Sequence, residues 1–327
     1  MASKKKLGLV AVAGAAALFA SVAVPAASQA ANEKTIAFVM GAINDPFFNA
    51  MKAGAVAEAK AKGVKLVWQG DVQYSPATQI PVVDQVLATK PDGLVLIPTD
   101  PVALQPSVAK AKAAGITVVN VDTHVNDLTD VVSFITGDNA DGGAKAADAI
   151  ANAIRYKAGK KYQVVVGLTS ATATTNVARL EGFTKAVAAK YPGIQIVDKA
   201  YSQSDPAIAN TNVNNWLTKY PNLRGIFAID GTNASGAAAA IQAKGLIGKI
   251  ALVGYDAYPA NVKLIQKKVF SALIAQDPAA EAKKAIDTLV DFWAGKTSGI
   301  QKNVVIPNVV LSAATSKADL KKFTYVA

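Results

Sequence analysis

From Thr35 onward, short β-branched runs alternate with Ala- and Lys-rich stretches of helical spacing, and this alternation constrains the chain more than any other feature. A strand, a helix and then another near-continuous apolar strand is the pattern of a parallel sheet covered on both faces. Apolar runs predict strands over residues 35–40, 64–68, 93–97, 116–121 and 131–136. Helices are predicted between them over 47–61, 76–89 and 101–114. In the first of these, Phe48, Met51, Ala55 and Ala59 recur three or four apart and mark a buried face. Pro76 and Pro101 stand at helix starts, where a missing N–H costs nothing, and Gly63 and Gly115 stand at helix ends.

A second series repeats the architecture without repeating the sequence. Strands are predicted over 163–168, 194–200, 225–229 and 250–253, with helices over 139–157, 175–191, 206–220, 234–244 and 259–266. A strand over 270–275, a long helix over 278–294 and strand pieces over 304–306 and 309–311 follow. A helix this late, after a complete second lobe, implies that the chain crosses back to the first. Crossovers are expected near Gly137-Asp138, near Gln276 and near Pro307-Asn308. The fold class is therefore α/β, with two lobes of parallel sheet, a three-segment hinge and a ligand cleft between the lobes. Residues 32–136 plus 277–307 are assigned to an N-terminal lobe, and 137–276 plus 308–327 to a C-terminal lobe.

Residues 1–30 have the layout of an export signal. Lys4, Lys5 and Lys6 precede an uncharged apolar stretch over residues 7–24, and small residues surround a cleavage position after Ala30. An N-terminal membrane anchor is the alternative, but Ala and Gly dilute the run. Cleavage would leave 297 of the 327 residues and lower the net charge from +11 to +8 by removing three lysines. The remaining lysines are spread along helices without interleaved aromatics, a solvated surface rather than a nucleic-acid stripe. The chain has no Cys and one His, His124, which excludes disulfides, thiolate sites and multi-histidine metal centres. No cofactor and no metal are expected. A soluble, monomeric protein of the periplasm fits these features.

Ligands of open parallel sheets bind beyond the carboxyl ends of strands. Polar and aromatic residues at those positions are Asp45, Phe47 and Phe48; Asp122, Thr123 and His124; Thr172 to Asn176 with Arg179; Asp230, Thr232 and Asn233; Asp256; and Gln276. Carboxylates accept from neighbouring hydroxyls, Arg donates a planar fork, and an aromatic ring covers an apolar C–H face, which together suit a sugar or polyol. Each residue has a plainer role open to it. Asp45 can cap the helix behind it, Asp122 and Asp256 can close turns, one of the two Phe can be core, and Arg179 can pair with Glu181 or Asp198. His124 is read as structural or at the cleft edge, with contacts from His124, Asn120 and Asn176 left open. The glycine-bearing runs at 137–143 and 231–236 lack the order of phosphate or calcium loops.

Seven short segments occur in one order: Asn44-Asp45-Pro46-Phe47-Phe48, Pro98-Thr99-Asp100, Val119-Asn120-Val121-Asp122, Gly137-Asp138-Asn139, Arg179-Leu180-Glu181-Gly182-Phe183, Val253-Gly254-Tyr255-Asp256 and Ala275-Gln276. With them the chain resembles the periplasmic sugar-binding proteins of ABC importers, of the ribose/galactose type. The resemblance implies two Rossmann-like lobes that close on one monosaccharide and present it to a membrane permease. It implies ring stacking by Phe47 and Phe48, hydroxyl binding by Asp122, Arg179 and Asp256, and a hinge contact from Gln276. Asp45 and Asp230 stand where ribose binders carry Asn, Thr123 where they carry a second Arg, and Ile97 where they carry another Asn; Ser204 stands near an aromatic position. The expected site is Asp45, Phe47, Phe48, Asp122, Thr123, Arg179, Asp230, Asp256 and Gln276, richer in acceptors and suited to a different hydroxyl pattern or a linear polyol. Replacing Asp256 or Arg179 with Ala is expected to abolish the ligand response with little loss of fold.

Other readings are a receptor for a furanose-derived signal or a nucleoside, with Trp68 or Tyr74 as the extra stacking ring, and an exported carbohydrate-active enzyme. The second lacks any GxSxG nucleophile turn. The effector domain of a repressor would need a DNA-binding motif where the export signal lies. A non-enzymatic receptor is the leading expectation.

Overall fold

The computed structural model describes residues 1–3 and 33–326. The export segment read from the sequence lies almost wholly outside the described residues. The first half runs β1 (Thr35–Val39), α1 (Pro46–Lys62), β2 (Lys65–Gln69), α2 (Pro76–Ala88), β3 (Gly93–Leu96), α3 (Gln105–Ala113), β4 (Thr117–Val121) and β5 (Val131–Gly137). The second runs α4 (Asn139–Ala153), β6 (Tyr162–Leu168), α5 (Thr174–Lys190), β7 (Ile194–Tyr201), α6 (Pro206–Lys219), β8 (Leu223–Ala228), α7 (Gly231–Ala243), β9 (Ala251–Tyr255), α8 (Pro259–Gln266) and β10 (Ala272–Ala275). The return segment holds α9 (Pro278–Trp293), β11 (Asn303–Ile306), β12 (Val309–Leu311) and α10 (Lys317–Phe323).

Two six-stranded sheets result. The first has the order β11-β5-β4-β3-β1-β2 and is parallel throughout; the second has the order β12-β10-β9-β8-β6-β7, with only β12 antiparallel. Strands β3, β9 and β10 are buried at every position, as sheets covered on both faces require. The chain passes between the sheets three times, after Gly137, at Gln276-Asp277 and at Pro307-Asn308. This is the two-lobe α/β fold with a three-segment hinge that the alternation implied. Helix α9 packs on α1, β4 and β5, so the late helix does cover the first sheet. Asn308 fastens the hinge: its Nδ2 donates to Asp138 O and to the Tyr255 hydroxyl, both at 2.7 Å.

Some boundaries differ from expectation. Pro101 does not open a helix. The Asp100 carboxylate accepts from the N–H groups of Val102 and Ala103 at 2.9 and 2.8 Å, holding residues 101–104 in turns, and α3 starts at Gln105. Helix α4 stops at Ala153 rather than residue 157, because Arg155 adopts a left-handed conformation with φ 54°. Helix α7 begins three residues earlier than predicted, at Gly231, because Asp230 caps it. Helix α10 was not anticipated.

Two glycines set the packing in the second lobe. A Cβ on Gly143 of α4 would lie 2.0 Å from Arg179 O, and one on Gly182 of α5 would lie 2.0 Å from Ala140 O. The two helix backbones therefore touch, which only glycine permits. This contact fixes the position of Arg179. Among the described residues, no helix is long and apolar enough to cross a membrane.

Candidate functional site

The carboxyl ends of both sheets face one cavity. Asp122 follows β4 and Asp256 follows β9, and the two are built alike. Each takes a left-handed conformation, φ 59° and 66°, and each donates its backbone N–H at 2.8 Å to an isoleucine carbonyl of the next strand, Ile135 and Ile274. Asp is among the few side chains that tolerate this conformation. Asp45 and Asp230 enter differently, as N-caps of α1 and α7, accepting from Phe47 N and Asn233 N at 2.8 Å each.

The carboxylates differ in how many protein donors they face. Asp256 accepts from Gly231 N at 2.9 Å, Gln276 Nε2 at 2.7 Å and the Tyr325 hydroxyl at 2.9 Å. Asp230 accepts from Thr169 Oγ1 at 2.7 Å and Asn233 Nδ2 at 2.6 Å as well as from its capped N–H. Asp45 accepts from the Tyr258 hydroxyl and, at 3.4 Å, from Thr232 Oγ1. A carboxylate offers about four lone-pair positions, so each of these three keeps about one. Asp122 keeps all of them: among the described residues no side chain or N–H donates to its carboxylate.

Arg179 is 3% exposed. Its Nε donates to Asn139 Oδ1 at 2.7 Å and its Nη1 to Ile229 O at 3.0 Å, while the guanidinium stacks 3.8 Å from the centroid of the Tyr255 ring. The remaining N–H groups of the fork are left for the cavity. Phe47 and Phe48 form an edge-to-face pair 5.2 Å apart on the opposite wall.

Burial raises three of the carboxyls around the guanidinium. Burial pushes the Asp122 carboxyl up to about 7, with Arg179 pulling it down and Asp256 and Asp45 pushing it further up. Burial likewise takes Asp45 to about 7 against the hydrogen bond from Tyr258. Asp230 is raised by burial too, against its bonds to Asn233 and Thr169. Behind the cavity, Glu281 is fully buried without a hydrogen-bond partner, and burial pushes it well above the usual carboxylate range. The closed cavity thus carries protons on some of its acids near neutral pH.

Of the residues expected from the sequence, Asp45, Phe47, Phe48, Asp122, Arg179, Asp230, Asp256 and Gln276 line the cavity. Thr123 does not. Its hydroxyl donates to Pro98 O at 2.7 Å and it is 1% exposed, because the left-handed Asp122 turns the next side chain back into its own lobe. His124 is also elsewhere: Nδ1 lies 2.8 Å from Val125 O and the ring packs edge-on to Phe134. The Asn120 amide serves its own lobe through Leu96 O and Val125 N, whereas Asn176 lines the cavity while accepting from Thr169 N at 2.6 Å. Both Phe are buried and both line the cavity, so core and site roles coincide. Against the expectation that Asp256→Ala and Arg179→Ala spare the fold stands the fact that each residue satisfies buried protein groups.

Sequence reasoning missed Thr169 and Tyr258, and it named Tyr74 only as an alternative stacking ring; all three line the cavity. Tyr258 stands two residues past Asp256 and just before the Pro that opens α8, a strand-end position that could have flagged it. Tyr325 carried no such sign, as it arrives from the tail after α10.

Residues 36–297 match the family model described as periplasmic binding protein domain. The ribose import binding protein of Bacillus subtilis (strain 168) is 30% identical over 283 residues, covering 86% of this chain and 88% of its own length. The ribose import binding protein of Escherichia coli (strain K12) is 32% identical over 277 residues, covering 84% and 90% respectively. Among solved structures, an ABC transporter solute binding protein from Agrobacterium vitis, bound with α-D-tagatopyranose, matches with a TM-score of 0.85 at 29% identity, covering 90% of this chain and 100% of that one.

Proposed function

Since this chain belongs to the periplasmic binding proteins of the ribose type, we propose that it captures a monosaccharide or polyol between its lobes and delivers it to the membrane permease of an ABC importer. One observation carries the reading. Asp122, with its carboxylate free of protein donors, faces Arg179, with part of its fork free, across a cavity that two lobes build jointly. A vicinal diol donates to Asp122 and accepts from Arg179, and Phe47 and Phe48 cover its apolar face. Asp256 and Gln276 hold the hinge side, and Asp45 and Asp230 each contribute the one acceptor position their protein partners leave.

The ligand bridges groups that meet only when the lobes are together, so it stabilises the closed form over the open one. The lobes of this reading are residues 32–136 with 277–307 and residues 137–276 with 308–327. The protein acts in the periplasm after removal of residues 1–30, as a monomer, and returns its ligand chemically unchanged. Tyr74 on the cavity wall supports a second reading, a nucleoside stacked between that ring and the phenylalanines.

Thermal shift of the mature protein against pentoses, hexoses, alditols and nucleosides tests both, since a ligand adds RT ln(1 + [L]/Kd) to stability. A shift with one sugar or alditol, and its recovery unaltered after incubation, is the expected result. A shift with nucleosides alone replaces the first reading by the second, and recovery of a cleaved product refutes the receptor.

A further inference from the structure

Asp45, Ser204 and Tyr258 line two spaces at once. One is the inner cavity; the other is an outer groove of about 520 Å³ that the same residues also border. We propose that Asp45 and Tyr258 form a wall between these spaces and thereby set the size of ligand the protein accepts: one unsubstituted sugar or polyol. This rests on the receptor reading above and adds to it the pair of residues that limits the ligand.

The wall is built from opposite lobes. Asp45 ends the turn after β1 and Tyr258 ends the turn after β9, so their hydrogen bond spans the cleft and exists only in the closed form. Both partners are held firmly. The Asp45 carboxylate also caps α1 through Phe47 N and takes a third contact from Thr232. The Tyr258 ring lies directly on Gly231, where an added Cβ would come within 2.2 Å of it, and its other neighbour is the Tyr325 ring at 6.1 Å. A ring so confined, with its hydroxyl engaged, cannot swing aside to admit a substituent without breaking the contact that closes the lobes.

The outer groove differs chemically from the inner cavity. Ala42, Pro46, Val72, Pro206, Pro259 and Ala260 contribute to its lining, against the carboxylates and guanidinium within. An apolar group attached to the sugar would fit the groove but for the wall.

The test uses the mature protein and calorimetric titration with the sugar or alditol that binds best in the screen, together with its mono-O-benzyl derivatives, one at each hydroxyl. Wild-type protein is expected to bind the parent and to bind every benzyl derivative weaker by on the order of 100-fold or more. Tyr258→Ala is expected to bring at least one derivative to within about tenfold of the parent, as the benzyl group enters the groove. Tyr258→Phe keeps the ring and loses the bond, so it should retain the exclusion while binding the parent about 3- to 10-fold more weakly. Tyr258→Leu provides an intermediate size should the alanine variant fold poorly.

Wild-type protein that binds any benzyl derivative as tightly as the parent overturns the wall, and that arm needs no variant. So does a folded Tyr258→Ala or Tyr258→Leu protein that binds the parent yet gains no derivative. If no sugar, alditol or nucleoside binds wild type, the receptor reading itself fails and the wall falls with it.

Discussion

Asp122 and Asp256 occupy corresponding places in the two lobes and are put there by the same backbone device, yet one holds three protein donors and the other none. Asp256 gathers an N–H, an amide and a phenol from three separate segments. Asp122 faces the cavity with no protein donor. The difference separates two tasks that a binding site must perform. The second lobe contributes a preset anchor, tied to the hinge through Gln276 and to the tail through Tyr325. The first contributes an open acceptor, left for the guest to complete.

The largest expected effect comes from removing the anchor. Asp256→Ala leaves the Gly231 N–H, the Gln276 amide and the Tyr325 hydroxyl without their acceptor, and buried donors left unpaired cost about 1–3 kcal/mol each before relaxation. A loss of about 2–4 kcal/mol in chemical denaturation of the ligand-free protein is expected. An unchanged midpoint would show that the two aspartates are equivalent after all.

Asp122→Ala provides the contrast. It should leave ligand-free stability no lower, because no protein donor is orphaned, and should raise it at neutral pH, where the buried carboxyl otherwise opposes folding. The thermal shift produced by ligand should nevertheless disappear. Arg179→Ala is expected to lose the ligand response and some stability together, since Asn139 Oδ1 and Ile229 O lose their donor.

A subtler test uses pH. The Asp122 carboxyl sits at about 7 in the folded chain against an ordinary 3.8, so the folded state holds a proton that the unfolded state gives up. The ligand-free protein should therefore lose stability as pH rises from about 4 to 7 and level off above. Asp122→Asn should flatten that decline, and Asp45→Asn should do so in part for the same reason. Melting temperatures at half-unit steps across this window measure both slopes; a stability that climbs through it contradicts the buried-acid account.

The smallest effect is expected at the neighbouring position. Thr123→Ala removes a hydroxyl that faces Pro98 rather than the cavity, so it should cost about 0.5–1.5 kcal/mol of stability and leave ligand affinity within about twofold. A large loss of affinity would return Thr123 to the site.

What the sequence made legible follows strand order. The apolar runs that end in Asp122 and Asp256 announce both the sheet and the place where polar groups leave it, because a buried parallel strand is mostly apolar until its end, Asn120 in β4 being paired within its own lobe. The Arg179 helix and the paired Phe were legible for the same reason. The turn at Asp122 was not, since a left-handed residue leaves no mark in a pattern of apolar and polar types, and so Thr123 was expected on the wrong side. Tyr325 was hidden because it depends on a long return of the chain after α10. The protein donors that Asp45, Asp230 and Asp256 already hold were equally hidden: a carboxylate looks the same in sequence whether its partners are hydroxyls of a guest or groups of its own chain.

The contact of α4 with α5 through Gly143 and Gly182 bears on how the lobes move. Helix α4 springs from the first crossover and α5 bears the guanidinium, and their main chains abut with no pliable side chain between them. Such a joint has no play. Arg179 is therefore held at a fixed setting relative to the segment where the chain first changes lobes.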